Sequence, residues 1–383
     1  MVTLCQVGKY ITERNAKTLE LLDKAKGELP GFCRRFFMGM SDVTQPLTRL
    51  NYAYDLKGFF RFLITETEAF QGKKMSDFVI EDLEKVEVLD IELYSEWLNA
   101  GNSKSGKMRK LSALRSFFAF YFKKGEISRN VLPNVDLPKL KSKDIVRLDK
   151  DEVSKIIGGA KNGTDLTAGQ RRFHNKIGFR DTVILTFFLS TGMRVSELVG
   201  LNVGDIDLKN SSFRITRKGG NETVLYMTQE LCDMMREYLE NANHNHLCTI
   251  SDKQHKIRDS KAISGNQTRP LSNTKLPSDR PLSNTMPNSD RPLFISLKSE
   301  RLGVRAVQNL VKKYASIAAP LKNISPHKLR STFGTNLYRA TGDIYAVADV
   351  LGHQNVNTTK KHYAAITDDI RRNAINQFKL DAD

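Results

Sequence analysis

Five side chains in the second half of the sequence are of types that can do chemistry on a phosphodiester. Arg194 lies in the run Thr-Gly-Met-Arg-Val-Ser-Glu-Leu, and His327, Arg330, His353 and Tyr363 follow it in order. Guanidinium groups match phosphate oxygens with paired N–H donors and stay charged at any working pH. A tyrosine hydroxyl can attack phosphorus and keep the bond energy in a phosphotyrosine ester. The set therefore predicts chemistry that cuts and rejoins DNA strands.

Each of these residues also has a plain structural interpretation. Arg194 could be a surface arginine paired with Glu197, which lies one helical turn later on the same face. His327 and Arg330 share a helix face, so they either reach one phosphate together or are a chance pair at a helix start. His353 could donate to a phosphate oxygen or interact with backbone carbonyls at a helix end.

Three tyrosines of this region compete for the role of nucleophile. Tyr363 lies in a polar, basic run with Lys360 and Lys361. A free tyrosine has a pKa of about 10, so it needs positive neighbours to react near neutrality. Tyr345 lies in an apolar helical stretch and is expected in the core, whereas Tyr338 could pack or be exposed. Tyr363 is therefore the predicted nucleophile.

Composition limits the partners and the compartment. The chain has 383 residues, which suggests two domains, and a net charge of +17, which favours a polyanion, nucleic acid before an anionic membrane. No apolar stretch is long enough to span a bilayer and no signal peptide is recognisable, so we expect a cytoplasmic protein outside the membrane. The cysteines lack metal-ligand spacing, and no ligand cluster surrounds His244 and His246, so we expect no metal and no cofactor.

The N-terminal half is predicted to be helical. Amphipathic patterns cover about 44–64, 89–98 and 103–124. The last of these helices begins with basic residues and continues with apolar ones. It could therefore pack on one side and meet phosphates on the other, or it could be a plain amphipathic helix with a solvated face. The candidate DNA contacts at its start are Lys104, Lys107, Arg109 and Lys110.

The order of patterns predicts the domains. Residues 1–40 form an N-terminal helical extension, residues 41–125 a helical DNA-binding domain, and residues 126–147 a basic, proline-containing linker. A second domain covers 148–383. Within it, 243–290 are rich in Asn, Ser and Pro and contain a tandem near-repeat, which predicts a mostly disordered insertion.

The second domain is predicted to combine helices with a small β-sheet. Asp149 could cap a first helix, residues 161–175 are expected to be irregular, and residues 179–190 to form a buried helix. Short strands are expected at 205–207 and within 212–227. Further helices are expected at 303–318, 326–341, 343–351 and 367–378.

At these residues the chain resembles the tyrosine recombinase, or phage integrase, family, most of all its bacterial Xer-like and mobile-element members. The matching pieces are Thr-Gly-Met-Arg-Val-Ser-Glu-Leu, a lysine in a β-hairpin turn, Pro-His-Lys-Leu-Arg-Ser-Thr-Phe, Leu-Gly-His and a late tyrosine, in the family's order. The resemblance covers about 45–380. It implies a mainly α fold with a small β-sheet, in which a helical core-binding domain precedes a mixed α/β catalytic domain. The insertion at 243–290 and the segment before residue 40 depart from the family pattern.

The resemblance implies a role for each matching residue. Arg194 and Arg330 would hold the non-bridging oxygens of the scissile phosphate. His327 would donate a hydrogen bond or accept the tyrosine proton, since its reference pKa lies near neutrality. His353 would donate to a phosphate oxygen, and Tyr363 would attack the phosphorus.

Two further residues take roles from the same resemblance. Lys218, in the turn between two strands, would be the general acid that protonates the leaving 5′ oxygen; the alternative is a solvated turn lysine. Its neighbour Arg217 complicates this assignment. Glu197 would orient Arg194 from behind, or it could only cap its helix.

The implied function is site-specific recombination of double-stranded DNA through a 3′-phosphotyrosine intermediate and a Holliday junction. Four copies, or copies paired with a paralogous recombinase, would assemble on two sites without a metal, ATP or a small-molecule substrate. Chromosome-dimer resolution and mobile-element integration or excision both remain open. The alternatives are a type IB topoisomerase-like nicking and resealing enzyme and a non-catalytic DNA-binding protein.

Overall fold

The computed structural model describes residues 8–138, 146–217, 220–241, 288–353 and 355–357. The chain divides into two compact units, here called the first unit (9–143) and the second unit (144–383, with the first eight residues assigned to it). Both consist mainly of helices, and a small sheet belongs to the second, so the predicted fold class is confirmed. No helix in these ranges is both long and apolar enough to cross a membrane.

The first unit contains five α-helices among its described residues. Ser103 begins the fifth, because its hydroxyl accepts a hydrogen bond of 3.2 Å from the Gly106 N–H. The helices predicted over 44–64, 89–98 and 103–124 are confirmed to within two residues at each end. The helices are α1 (Gly8–Gly27), α2 (Cys33–Gly39), α3 (Pro46–Glu66), α4 (Val88–Trp97) and α5 (Lys104–Lys123).

Aromatic rings fill the core of the first unit. Phe60 of α3 packs edge-on against Phe117 of α5, and Phe59 packs in the same way against Phe118; all four rings are fully buried. Phe36 of α2 packs edge-on against Phe117 with ring centroids 5.2 Å apart. The Tyr121 hydroxyl donates to the Phe32 carbonyl at 2.8 Å, which ties the segment before α2 to α5.

The limits of this unit differ from the predicted domain limits. Leu22 and Phe37 lie in its core, although residues 1–40 were expected to form a separate extension. At the other end Ile127, Val131 and Val135 are buried in the same core, although the linker was expected to begin at 126. Periodicity within a segment does not reveal which distant helices it packs against, so the sequence pattern did not show that these two segments share one core.

The second unit has seven α-helices and three strands among its described residues. The sequence patterns for helices at 303–318, 326–341 and 343–351 are confirmed. The helix expected at 367–378 lies outside the described residues. The elements are α6 (Lys150–Asn162), α7 (Ala168–Thr191), α8 (Val195–Gly200), β1 (Ile206–Asp207), β2 (Ser212–Thr216), β3 (Glu222–Tyr226), α9 (229–241), α10 (Val304–Ala318), α11 (Pro326–Thr341) and α12 (Ile344–Leu351).

Helix α7 is longer than the sequence suggested. Residues 168–175 were expected to be irregular, and this was wrong, because Thr167 and Gln170 form a reciprocal cap at the start of the helix. The Gln170 N–H donates to the Thr167 hydroxyl at 3.3 Å, and the Thr167 N–H donates to the Gln170 side chain at 3.1 Å. The first turns are polar and exposed, so they lack the apolar periodicity by which a helix is recognised.

A buried carboxylate anchors α7 to α10. Asp181 accepts hydrogen bonds from Arg180 at 2.7 Å, from Lys313 at 2.9 Å and from the Tyr314 hydroxyl at 3.1 Å. A buried charge is tolerated when it is paired and hydrogen-bonded in this way. The network fixes α7, and therefore the turn that follows it.

The sheet is a three-stranded antiparallel meander in the order β1-β2-β3. Phe213 and Ile215 of β2 point to the buried side, as alternation in a strand requires. The hairpin between β2 and β3 is closed by the Arg217 N–H, which donates to the Asn221 carbonyl at 2.8 Å. The predicted strands are confirmed; Lys218 and Gly219 of the turn lie outside the described residues, as do 242–287, which hold most of the predicted insertion.

Candidate active site

Arg194 is positioned by the tight turn between α7 and α8. Gly192 ends α7 in the left-handed conformation, with φ of 62°, and a Cβ at this position would overlap the ring of Phe333. The chain then turns into α8, and the Arg194 N–H donates to the Glu197 carboxylate at 2.7 Å. Glycine is therefore required where the sequence has Thr-Gly-Met-Arg.

Glu197 holds both the backbone and the side chain of Arg194. Its other carboxylate oxygen accepts a hydrogen bond of 2.8 Å from Arg194 Nη1. The Glu197 side chain is only 3% exposed, whereas the Arg194 side chain is 35% exposed. The buried Glu197 carboxylate thus orients the Arg194 guanidinium, which still reaches solvent. The ion pair between them is therefore also the contact that orients Arg194.

Arg330 lies deeper than Arg194. It is 4% exposed on α11, and its Nη1 donates to the Gly192 carbonyl at 2.6 Å. Its Nη2 donates to the Leu351 carbonyl. His327 begins the same helix one turn earlier and is exposed. Arg330 therefore joins the turn that precedes Arg194 to the end of α12.

Three guanidinium groups meet the C-terminus of α12. The carbonyls of residues 350, 351 and 352 accept, in that order, from Arg217 Nη2 at 2.9 Å, from Arg330 Nη2 and from Arg194 Nη2 at 3.2 Å. The last carbonyls of a helix have no partners within it and carry a partial negative charge, so they attract cations. The three arginines come from separate segments, and the helix end brings them together.

His353 follows directly from this helix end. Gly352 adopts the left-handed conformation with φ of 60°, and the His353 N–H donates to the Ala348 carbonyl at 2.9 Å. This is the glycine-terminated end that Leu-Gly-His predicts. His353 therefore lies one residue beyond the carbonyl that Arg194 binds.

Arg217 is the site residue that the sequence analysis did not identify. It was noted only as a neighbour of Lys218, yet its guanidinium packs against Gly352. Burial lowers the pKa of Arg217, and Arg194 lowers it further, while Glu197 and Asp349 oppose the change. Its position at the end of a strand gave no sign that it would reach across to α12.

The rival tyrosines differ in exposure. Tyr345 is 70% exposed, so its expected place in the core was wrong. Helix α12 buries Val347, Ala348 and Leu351, and Tyr345 does not belong to that face. Tyr338 is buried in α11. Tyr363 and Lys218 lie outside the described residues.

The candidate DNA contacts at the start of α5 fall into two groups. Lys104 is exposed, and Lys107 donates to the Asn99 side chain at 3.0 Å. Arg109 forms an ion pair with the buried Asp55, and Lys110 lies 3.9 Å from the same carboxylate. Burial raises the pKa of Asp55 despite both cations. Arg109 and Lys110 therefore have a partner inside the first unit.

The charges at the site suit an anion. Arg194, Arg217 and Arg330 converge on one helix end, and the buried Glu197 neutralises one of the three. Such preorganised donors stabilise charge that develops on a phosphate during reaction. No group of three His, Cys, Asp or Glu side chains within the described ranges is placed to hold a metal ion.

The chain is similar to proteins of one kind over most of its length. It is 29% identical over 396 residues to the tyrosine recombinase XerC of Caldanaerobacter subterraneus subsp. tengcongensis, which covers 98% of this chain and 96% of that protein. Its fold is similar to that of the XerH site-specific recombinase bound to palindromic difH substrate, with a TM-score of 0.59 and 18% identity over 86% of this chain and 80% of the other.

It is also similar to the Tn1549 transposon integrase in complex with transposon right end DNA, with a TM-score of 0.56 and 16% identity over 90% and 97% of the two chains. The sequence model of the phage integrase family matches residues 146–369, which is more than half of the chain and includes the turn at Arg194, the hairpin and the end of α12. The chain belongs to the phage integrase family of tyrosine recombinases.

Proposed function

We propose that this protein is a site-specific tyrosine recombinase that cuts and rejoins double-stranded DNA through a 3′-phosphotyrosine intermediate. The observation that carries the proposal is the convergence of Arg194 and Arg330 on the turn that leads to His353, in a member of this family. The three side chains would surround one scissile phosphate.

The reaction exchanges one phosphodiester for another. The Tyr363 oxygen attacks the phosphorus while His327 takes the hydroxyl proton, and the bond from phosphorus to the 5′ oxygen breaks. Lys218 gives the departing oxygen a proton. A 5′ hydroxyl of a partner strand then attacks the phosphotyrosine, and the tyrosine leaves. The number of phosphoester bonds is unchanged, so the exchange needs no ATP.

The arginines would stabilise the transition state. Arg194 is held by Glu197 yet still exposed, which suits direct contact with a non-bridging oxygen. Arg330 has five N–H donors, of which one goes to the Gly192 carbonyl and one to the Leu351 carbonyl, so it both supports the turn and adds positive charge behind it. His353 would donate to another phosphate oxygen. Removing a donor of this kind typically costs about 10²- to 10³-fold in rate.

Double-stranded DNA is the proposed partner. The XerH recombinase and the Tn1549 integrase have been solved with DNA, and the net charge of +17 favours a polyanion. We assign DNA binding to the first unit (9–143), which contains the predicted DNA-binding domain 41–125, with Lys104 and Lys107 as contacts, and catalysis to 148–383. The exchanging species would be a homotetramer on two sites, or one formed with a paralogous recombinase, in the cytoplasm.

A plasmid assay separates recombination from topoisomerase activity. A supercoiled plasmid with two copies of the sequence that flanks the gene should yield recombinant products, and a plasmid without them should keep its supercoiling. Relaxation of both plasmids without recombinants would favour the topoisomerase-like alternative. Tight binding without any strand cleavage would favour a DNA-binding protein.

A further inference from the structure

Arg217 bridges the hairpin and the end of α12. Its Nη2 donates to the Val350 carbonyl at 2.9 Å, and its Nε donates to the Thr223 hydroxyl of β3 at 3.2 Å. Its backbone N–H closes the hairpin by donating to the Asn221 carbonyl. Arg217 therefore connects the hairpin to the end of α12, although Arg217 and Val350 are 133 residues apart in the sequence.

The guanidinium fits against Gly352 because that residue has no side chain. A Cβ at Gly352 would overlap Arg217 Nη1. Nη1 is buried, and nothing in the described ranges accepts a hydrogen bond from it. A buried donor without an acceptor lowers the stability of the folded chain.

The surroundings of Arg217 are also electrostatically unfavourable in part. Burial and the nearby Arg194 disfavour its charged form, while Glu197 and Asp349 favour it. An uncharged side chain at position 217 would avoid both the cost of burying a charge and the repulsion from Arg194. Where a sequence keeps a costly group in an active site, the group commonly holds a functional geometry.

We propose that Arg217 is a positioning residue for the strand-cleavage reaction, which holds the turn that carries His353. It does so by binding the Val350 carbonyl and filling the open face of Gly352. The inference rests on the proposed function, because His353 matters only if a phosphate is bound there. Loss of Arg217 would let the turn move, and a displacement of about 1 Å can cost roughly 10²-fold in rate.

The test is a double-mutant cycle on strand cleavage. A suicide DNA substrate, nicked close to the cleavage position, traps the covalent protein–DNA complex, and its rate of formation is measured at saturating DNA. Arg217→Met should slow the wild-type reaction by about 10- to 100-fold. In a His353→Ala background the same change should cost less than about threefold, because residues that act as a unit are strongly non-additive.

Two further variants separate positioning from folding. Arg217→Lys can still donate to the Val350 carbonyl but cannot form both bonds, so it should recover part of the rate. Arg214→Met, on the exposed face of β2, is the matched control and should cleave like wild type. Multiplicative losses for Arg217 and His353 would overturn the proposal.

A sulfur substrate distinguishes this role from one exerted through Lys218. When the 5′ bridging oxygen is replaced by sulfur, the thiolate leaves without protonation. The Arg217→Met defect should persist on this substrate. Recovery of the wild-type rate would overturn the proposal, because Arg217 would then act on the general acid. If wild type forms no covalent complex with either substrate, the proposed function itself fails.

Discussion

Arg194 Nη2 donates a hydrogen bond of 3.2 Å to the carbonyl of Gly352, 158 residues away in the chain. The bond joins a guanidinium expected at the scissile phosphate to the residue just before His353. It forms beside the bonds of Arg330 to Gly192 and Leu351, which join the same two turns. The placement of each of these side chains therefore depends on the placement of the others, because Arg194 and Arg330 bind backbone carbonyls of both turns.

Glu197→Gln tests whether this placement matters for catalysis. The amide can accept only one of the two hydrogen bonds that the carboxylate accepts from Arg194, and it turns an N–H donor toward the other. We expect covalent complex formation on the suicide substrate to slow by about 10- to 100-fold with DNA affinity nearly unchanged.

Glu152→Gln provides a matched control for that experiment. Glu152 occupies the same position in the cap of α6, accepts from the Asp149 N–H at 2.9 Å, and pairs with Lys322 at 2.6 Å. Glu152→Gln should lower the free energy of unfolding by about as much as Glu197→Gln lowers it, without slowing cleavage. Equal cleavage rates for Glu197→Gln and Glu152→Gln would show that Glu197 only caps its helix.

Substitutions at the basic start of α5 should distinguish residues that contact DNA from residues that stabilise the first unit. Lys104→Ala should weaken DNA binding and reduce the slope of log K against log salt by about 0.9, the value for one lost phosphate contact. The free energy of unfolding of the Lys104→Ala protein should equal that of wild type, because Lys104 is exposed.

Arg109→Ala should behave differently, because it leaves the buried Asp55 without its nearest cation. We expect a loss of about 1–3 kcal/mol in the free energy of unfolding. The single tryptophan, Trp97, lies in α4, so its fluorescence reports the first unit alone. An Arg109→Ala protein as stable as wild type with a reduced salt slope would make Arg109 a DNA contact instead.

Asp82 should make the stability of the first unit depend on pH. Burial alone would raise its pKa, but hydrogen bonds from Lys73, the Val79 N–H and Lys85 outweigh burial and lower it. A lowered carboxyl pKa contributes stability above the unfolded value of about 3.9, and this is lost as pH falls through the folded value.

Asp82→Asn should therefore destabilise the first unit by about 1–3 kcal/mol at pH 7 and by progressively less as the pH is lowered below the unfolded pKa of about 3.9, measured by denaturant unfolding followed at Trp97. The exposed Glu92→Gln should have little effect at any pH in this range. A loss of equal size at every pH would mean that the charge of Asp82 is not what stabilises this region.

Most elements followed from the sequence, and the failures have physical causes. Asp149 was expected to cap α6, and its side chain accepts from the Glu152 N–H at 2.8 Å. The start of α7 was missed because Thr167 and Gln170 cap a helix whose first turns are solvated. Tyr345 was placed in the core because a short helix that is apolar except for Asp349 does not show which of its sides is buried.

The site was predictable only in part. Motifs pointed to Arg194, Arg330 and His353, because glycine turns and helix starts are local features of sequence. The contact of Arg217 with Val350 and Gly352 is between distant segments, and no local pattern records it. The interlocking of all three arginines at one helix end is likewise a property of the folded chain.

The most direct test of the whole account is covalent capture of DNA by Tyr363. Wild type and Tyr363→Phe are incubated with the suicide substrate without magnesium, and covalent complexes are separated on a denaturing gel; Tyr345→Phe and Tyr338→Phe serve as controls. The account predicts a covalent band for wild type and both controls and none for Tyr363→Phe. A band that persists in Tyr363→Phe and disappears in Tyr345→Phe would contradict the assignment of the nucleophile.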